Sequence, residues 1–158
     1  MGENNRGITM IRLEVIETAQ PSGDAIEMIR AYAAVSDSRQ DSLLMAIMRR
    51  AFSVVQRCAD VALLAGRYRV MAEDHSGVVN VYMGGVVESV TDAQGVSVAY
   101  HQTGRTVNVM TERYVEVEFT TEVNADDYDR LLPVVLKYAT AIYDGKDSHE
   151  LNAILKEC

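Results

Sequence analysis

The residue types able to do chemistry in this 158-residue chain are two glutamates on one strand, three histidines, two cysteines and a run of aspartates. Glu116 and Glu118 point the same way from a strand, about 7 Å apart, a separation at which two carboxylates can share acid and base work. The alternation Val-Glu-Val-Glu is equally the mark of a strand with one wet face, and that is the reading adopted. His75, His101 and His149 are scattered. A metal site needs convergent ligands at fixed spacing, so all three are expected as exposed polar residues. Cys58 falls on the apolar stripe of a helix and is expected to pack as a small hydrophobe. Cys58 and Cys158 have neither metal-ligand spacing nor the numbers of a disulfide framework, which fits a reducing compartment.

Asp126, Asp127 and Asp129 lack the glycine and distal glutamate of a calcium loop. They suit the first turn of a helix, where the backbone dipole favours negative charge. Gly84 and Gly85 join two strands and open no helix, so they do not cradle a phosphate. No serine lies in a G-x-S-x-G elbow. The sequence therefore offers no catalytic residue, no cofactor site and no metal site, and the expected product of the fold is shape.

Those residues must be carried by elements that the hydrophobic pattern reveals. Residues 8–18 alternate as a half-buried strand, and Pro21-Ser22-Gly23 breaks it. Asp24 with Glu27 resembles a capping box ahead of a short helix over 25–35. Ser38 is then placed to cap a second helix. Its stripe is Leu44, Ile47, Ala51, Val54, Val55, Cys58 and Val61, with Arg49, Arg50 and Arg57 on the other side. The spacing predicts about 25 residues, near 37 Å of helix, ended by Gly66. Strands follow over 67–72, 78–83, 86–91, 96–101, 106–110 and 114–121, with turns at 74–77, 84–85, 92–95 and 103–104. After Asn124 the pattern is helical again. Pro133 either starts or kinks that helix, and its expected buried stripe is Leu132, Val135, Leu136, Ala139 and Ile142. Asp144-Gly145 stops it, and Asp147 or Ser148 caps a last short helix.

Strands and helices are segregated, which argues an α+β fold: a short N-terminal helix, a long amphipathic helix, an antiparallel region of five to six short strands, and a C-terminal helix pair. The length fits one domain over 1–158, with a frayed start at 1–7. Hydrophobic residues are 48% and charged residues 24%, which excludes a disordered chain. Fifteen basic against 23 acidic residues give a net charge of −8, so nucleic acid could be gripped only through a local basic patch. The N-terminus lacks the order of a signal peptide and no apolar run reaches membrane-spanning length, so no membrane association is expected. The small patch of Arg49, Arg50 and Arg57 could meet an acidic partner subunit or face water.

The order of these elements, and several local strings, resemble a known family: the small head-tail connector (adaptor or head-completion) proteins of long-tailed bacteriophages. DAIEMIRAYAAV and DSLLMAIMRRAFSVVQRCADVAL match its first two helices. The string from Val79 to Val90 resembles its V-x-L-P-x-x-P-V-x-S-V strand region, with Gly84 and Gly85 where that pattern has prolines. Residues 114–121 resemble its late V-x-V-x-Y strand. Pro133-Val-Val-Leu-Lys-Tyr-Ala-Thr-Ala-Ile-Tyr143 resembles its helix that opens on proline and closes on tyrosine. The likeness spans about residues 24–145.

The resemblance implies a structural virion protein of the head-tail neck, assembled in the host cytoplasm. It implies a homo-oligomeric ring, dodecameric in the family, docked beneath the portal protein. Such a ring extends the channel through which double-stranded DNA passes and offers a surface to a stopper, tail-terminator or tail protein. Acidic walls would keep phosphate from sticking. By position, residues 146–158 become the portal contact, with Lys146, His149, Leu151, Ile154 and Leu155. The hairpin at 102–113, with Gln102, Arg105, Asn108 and Arg113, or the turn at 92–95, becomes the lumen or stopper contact. Arg49, Arg50, Arg57, Glu116 and Glu118 become inter-subunit contacts. Deleting 146–158 is expected to leave a folded subunit that no longer binds portal rings. Two rival readings stay open: a small α+β ligand-binding domain or enzyme with a pocket, and a non-viral bacterial interaction module.

Overall fold

The structure is a computed structural model that describes residues 11–34, 40–73 and 75–158. The elements run β1 (Ile11–Thr18), α1 (Gly23–Tyr32), α2 (Asp41–Ala59), β2 (Gly66–Ala72), β3 (Val78–Asn80), β4 (Val86–Asp92), β5 (Tyr100–Thr103), β6 (Thr106–Val109), β7 (Val115–Thr121), α3 (Ala125–Tyr143) and α4 (Ser148–Leu155). This is the α+β fold expected. The segregation of strands from helices is literal: one compact unit holds residues 11–18 and 65–121, and the other holds 19–64 and 122–158.

The β unit contains an antiparallel sheet ordered β1-β2-β7-β4 and a second ordered β3-β6-β5. Period-2 patterning builds the central strands β2 and β7 of the larger sheet, whereas the edge strand β1, expected to be half-buried, is exposed along nearly all its length. Val115, Val117 and Phe119 of β7 are buried, while Glu116, Glu118 and Thr120 are half-exposed. The β2–β7 register sets Tyr68 against Phe119, Val70 against Val117 and Ala72 against Val115. Tyr68 and Phe119 stack with ring centroids 5.5 Å apart. Burying each such ring contributes about 1.5–3 kcal/mol.

Gly66 does not end a helix; it opens β2. A Cβ there would stand 2.9 Å from both the Glu17 carbonyl oxygen and Cε2 of Tyr68. The strand expected over 78–83 stops at Asn80, because Met83 takes a left-handed conformation (φ 56°, ψ 28°) in a 3₁₀ turn over Tyr82–Gly84. The strand expected over 96–101 is also shifted. The turn at Gly104 and Arg105 pairs Thr103 with Thr106 and thereby fixes β5 at Tyr100–Thr103. Residues 96–98 instead fold back on β4, with Asp92 N–H on the Val96 carbonyl and Val98 N–H on the Val90 carbonyl.

The helical unit buries Ile29 of α1, Leu44, Met48, Phe52 and Val55 of α2, and Leu131, Val135 and Ala139 of α3 in one core. Phe52 stacks on Tyr128 at 5.9 Å. Ser22, not Asp24, caps α1, accepting from Ala25 N–H at 3.3 Å, and α1 ends at Tyr32 rather than 35. Ser38 as a cap lies outside the described residues. The long helix has 19 residues, not about 25. Asp60 turns left-handed (φ 54°) as its C-cap. Buried Gln56 then takes the N–H groups of Leu63 and Leu64 on its Oε1, at 3.1 and 3.2 Å, which draws the chain back across its own last turn.

Asn124 caps α3 by accepting from Asp126 N–H at 2.9 Å and Asp127 N–H at 3.2 Å. Pro133 therefore lies inside α3 and does not start it. The buried stripe runs through Leu131, Val134, Val135, Tyr138, Ala139 and Ala141, with Leu132, Leu136 and Ile142 at its margin. Asp147 caps α4 through Glu150 N–H at 2.9 Å.

Candidate interaction surfaces

On the polar side of the larger sheet, Glu116 and Glu118 are joined to two arginines of β2. Arg69 donates to Glu118 Oε1 at 2.8 Å, and its other nitrogens lie 3.9 Å from Glu116 and 3.7 Å from Glu14. Arg67 lies 3.2 Å from Glu118 Oε2 and 3.6 Å from Glu88. The Tyr114 hydroxyl donates to Glu116 at 3.0 Å. The strip thus crosses four strands.

The electrostatics of the strip do not divide its carboxylates into acid and base. The Arg69 hydrogen bond lowers the Glu118 pKa, helped by the nearby charges of both arginines and opposed by partial burial. Glu118 stays ionised, whereas a general acid needs a raised value. Burial raises the Tyr114 phenol, and its bond to Glu116 adds to that. Four carboxylates share two guanidinium groups, so the strip is a register lock with net negative charge.

The β5–β6 hairpin holds the second set of residues. Gln102 is not a free loop contact. Its Oε1 accepts Val87 N–H at 2.9 Å, and its Nε2 donates to the carbonyls of Gly85 at 2.9 Å and Gly104 at 3.0 Å. This buttons the hairpin to the start of β4. Arg105, Asn108 and Arg113 are exposed. Beside the hairpin an open groove of about 530 Å³ is lined by Asp92, Gln94, Ser97, Met110, Arg113 and Tyr114. Met110 at its rim is 79% exposed.

His75 departs from expectation. It is only 4% exposed. Its Nδ1 accepts Gly77 N–H at 3.1 Å, so the proton sits on Nε2, which donates to the Arg113 carbonyl. His101 and His149 are exposed, as expected.

In the helical unit Arg49, Arg50 and Arg57 are exposed along α2. Lys146 and His149 are exposed at the start of α4, while Leu151 is 9% exposed in the helical core. Ile154 and Leu155 are partly buried against that core. The apolar side of the C-terminal segment is therefore committed within its own unit, and its polar side is presented. Cys58 does not pack as a core residue; it is exposed, and Cys158 is half-buried. Among the described residues no three His, Cys, Asp or Glu side chains are grouped to hold a metal ion. Among them, too, no helix is long and apolar enough to cross a membrane.

No protein-family profile matches the chain, and no curated protein matches it in sequence. The fold itself is shared with chains of gene transfer agent (GTA) particles. A chain in the neck of an empty GTA particle, computed with C6 symmetry, superposes with a TM-score of 0.62 at 18% identity, covering 92% of this chain and 93% of that one. A chain in the virion of a native gene transfer agent (GTA) particle superposes with a TM-score of 0.60 at 16% identity, covering 91% and 93%. The connector resemblance is thereby borne out at the level of the fold.

Proposed function

We propose that this chain is a structural, non-enzymatic subunit of the head-tail neck of a phage-like virion. One observation carries the reading: the likeness to neck and virion chains runs over more than nine-tenths of both partners, β unit and helical unit alike. The symmetry named for the first of those particles supports a ring of copies, as closed cyclic assembly makes a tube from one repeated interface. On this reading both units form one connector-like protomer, and the ring is a dodecamer that docks under the portal protein and meets a stopper or tail protein on its other side. DNA passes through without being gripped, in keeping with the net charge of −8.

The exposed residues fit distinct roles. Lys146 and His149 on the polar side of 146–158 face the portal. Arg105, Asn108 and Arg113 on the hairpin meet the channel or the stopper. Arg49, Arg50 and Arg57 meet acidic surface on the neighbouring copy. Glu116 and Glu118 serve that contact only through the negative strip they build with Arg67 and Arg69.

Mixing the purified chain with portal rings and imaging the product by electron microscopy tests this. A second ring stacked coaxially on the portal is expected. A chain that stays unbound at micromolar concentration, with no ring on the portal, overturns it.

A further inference from the structure

We propose that Cys58 and Cys158 form a paired thiol site, which a small disulfide oxidant of the glutathione class converts to an intrachain disulfide tying the turn after α4 to α2. The two cysteines are far apart in sequence but share one acceptor. The Cys58 thiol donates to the Leu155 carbonyl at 3.5 Å, and the Cys158 backbone N–H donates to the same oxygen at 3.2 Å. Leu155 is the last residue of α4, and Glu157 N–H on the Ile154 carbonyl at 3.0 Å continues the turn that carries Cys158 back toward α2. A second tie, Lys137 to Glu157 at 2.8 Å, holds this turn against α3. Cys158 packs at the margin of the helical core while Cys58 opens to solvent.

That asymmetry sets the order of events. Burial, and then a hydrogen bond with Cys58, push the Cys158 thiol up to about 11. Thiolate is the attacking species in disulfide exchange, so the exposed Cys58 reacts first. Its thiolate attacks one sulfur of oxidised glutathione, breaks that S–S bond and expels one glutathione thiolate. Cys158 then loses its proton to solvent, attacks the Cys58 sulfur and expels the second glutathione. Two electrons pass from the protein thiols to the oxidant, which leaves as two reduced molecules. The new bond fixes the end of α4 to α2 and closes a long loop in the unfolded chain.

The test uses the full chain incubated with oxidised glutathione. The expected product is a chain lighter by two hydrogens, whose non-reducing peptide map joins the Cys58 peptide to the Cys158 peptide. Its thermal midpoint should rise by about 5–10 °C. Cys58→Ser and Cys158→Ser should each block the bond; Cys158→Ser should stop at a glutathione adduct on Cys58. Ring closure should quicken as pH rises, because Cys158 must deprotonate. A wild-type chain that accumulates a stable adduct on Cys58 with Cys158 still free, or that forms only chain-to-chain disulfides, overturns the proposal. None of these readouts depends on a ring or a portal.

Discussion

Arg69 stands directly across the β2–β7 pair from Glu118, and its guanidinium donates to Glu118 Oε1 at 2.8 Å. The pair sits in the middle of the sheet, so a slip of one residue in either strand would turn that strand's charge into the apolar face and break the pair. Because the folded state holds Glu118 below its ordinary pKa, chiefly through that bond, unfolding takes up a proton. The stability it contributes is complete above the usual glutamate range and is lost as pH falls through the depressed folded value. Glu118→Gln is expected to cost about 1 kcal/mol at neutral pH, a modest figure because both side chains are partly solvated. Thermal melts from pH 7 to 3 should show wild type and variant converging in acid. A gap that persists unchanged at pH 3 would contradict the account.

The adjacent glycines 84 and 85 are needed for different reasons. Gly84 has φ of +65° with its nearest outside atom at 4.0 Å, so Gly84→Ala meets backbone strain alone, about 1 kcal/mol. Gly85 has an ordinary φ, but a Cβ there would come within 2.3 Å of Phe119 Cδ2 and 3.1 Å of the Thr120 carbonyl oxygen. Gly85→Ala must displace a fully buried ring on the central strand β7, and is expected to cost about 3 kcal/mol. Urea titration of the two variants should rank them in that order.

His75 bridges two backbone groups, the N–H of Gly77 just ahead of β3 and the carbonyl of Arg113 just ahead of β7. His75→Ala leaves both partly buried groups without that partner, and is expected to destabilise by about 1–2 kcal/mol. Hydrogen exchange should show the Gly77 amide losing protection first. If that amide exchanges no faster in the variant, the bridge is not what orders this turn.

What could be read in advance was what depends on neighbours in sequence. The wet and dry faces of β7 follow from Val115 to Thr121 alone, and the aspartates behind Asn124 mark a first helical turn, while Pro133 leaves the start of the main helix open, a choice that only the Asn124 cap settles. The order of elements was enough to show the likeness to connector proteins. Long-range partners were not legible. The end of α2 depends on a Gln56 amide reaching Leu63 and Leu64 around a left-handed Asp60, and no stripe of apolar residues encodes that. His75 is buried because the Arg113 carbonyl meets it from 38 residues away. Gln102, named for its place on a hairpin tip, is held by three backbone groups and is structural. The pairing of Cys58 with Cys158 required α4 to return to the end of α2.

The C-terminal segment calls for variants that separate folding from docking. Deleting 146–158 removes Leu151 from the helical core and breaks the tie from Lys137 to Glu157. The truncated chain is therefore expected to be destabilised, and its failure to bind a portal would say nothing about contact. Leu151→Ala alone should cost about 2–4 kcal/mol. Lys146→Glu with His149→Ala alters only exposed positions, where Lys146 has one weak pair with Glu150 at 3.9 Å. That double variant should melt within about 3 °C of wild type, since each exposed substitution rarely exceeds 0.5 kcal/mol in effect. Its binding to portal rings, measured by pull-down or by interferometry, should fall about tenfold or more, on the scale of a lost charged contact. Unchanged binding by a folded double variant would move the portal contact to another surface, and the exposed face of α2 at Arg49, Arg50 and Arg57 would be the next to change.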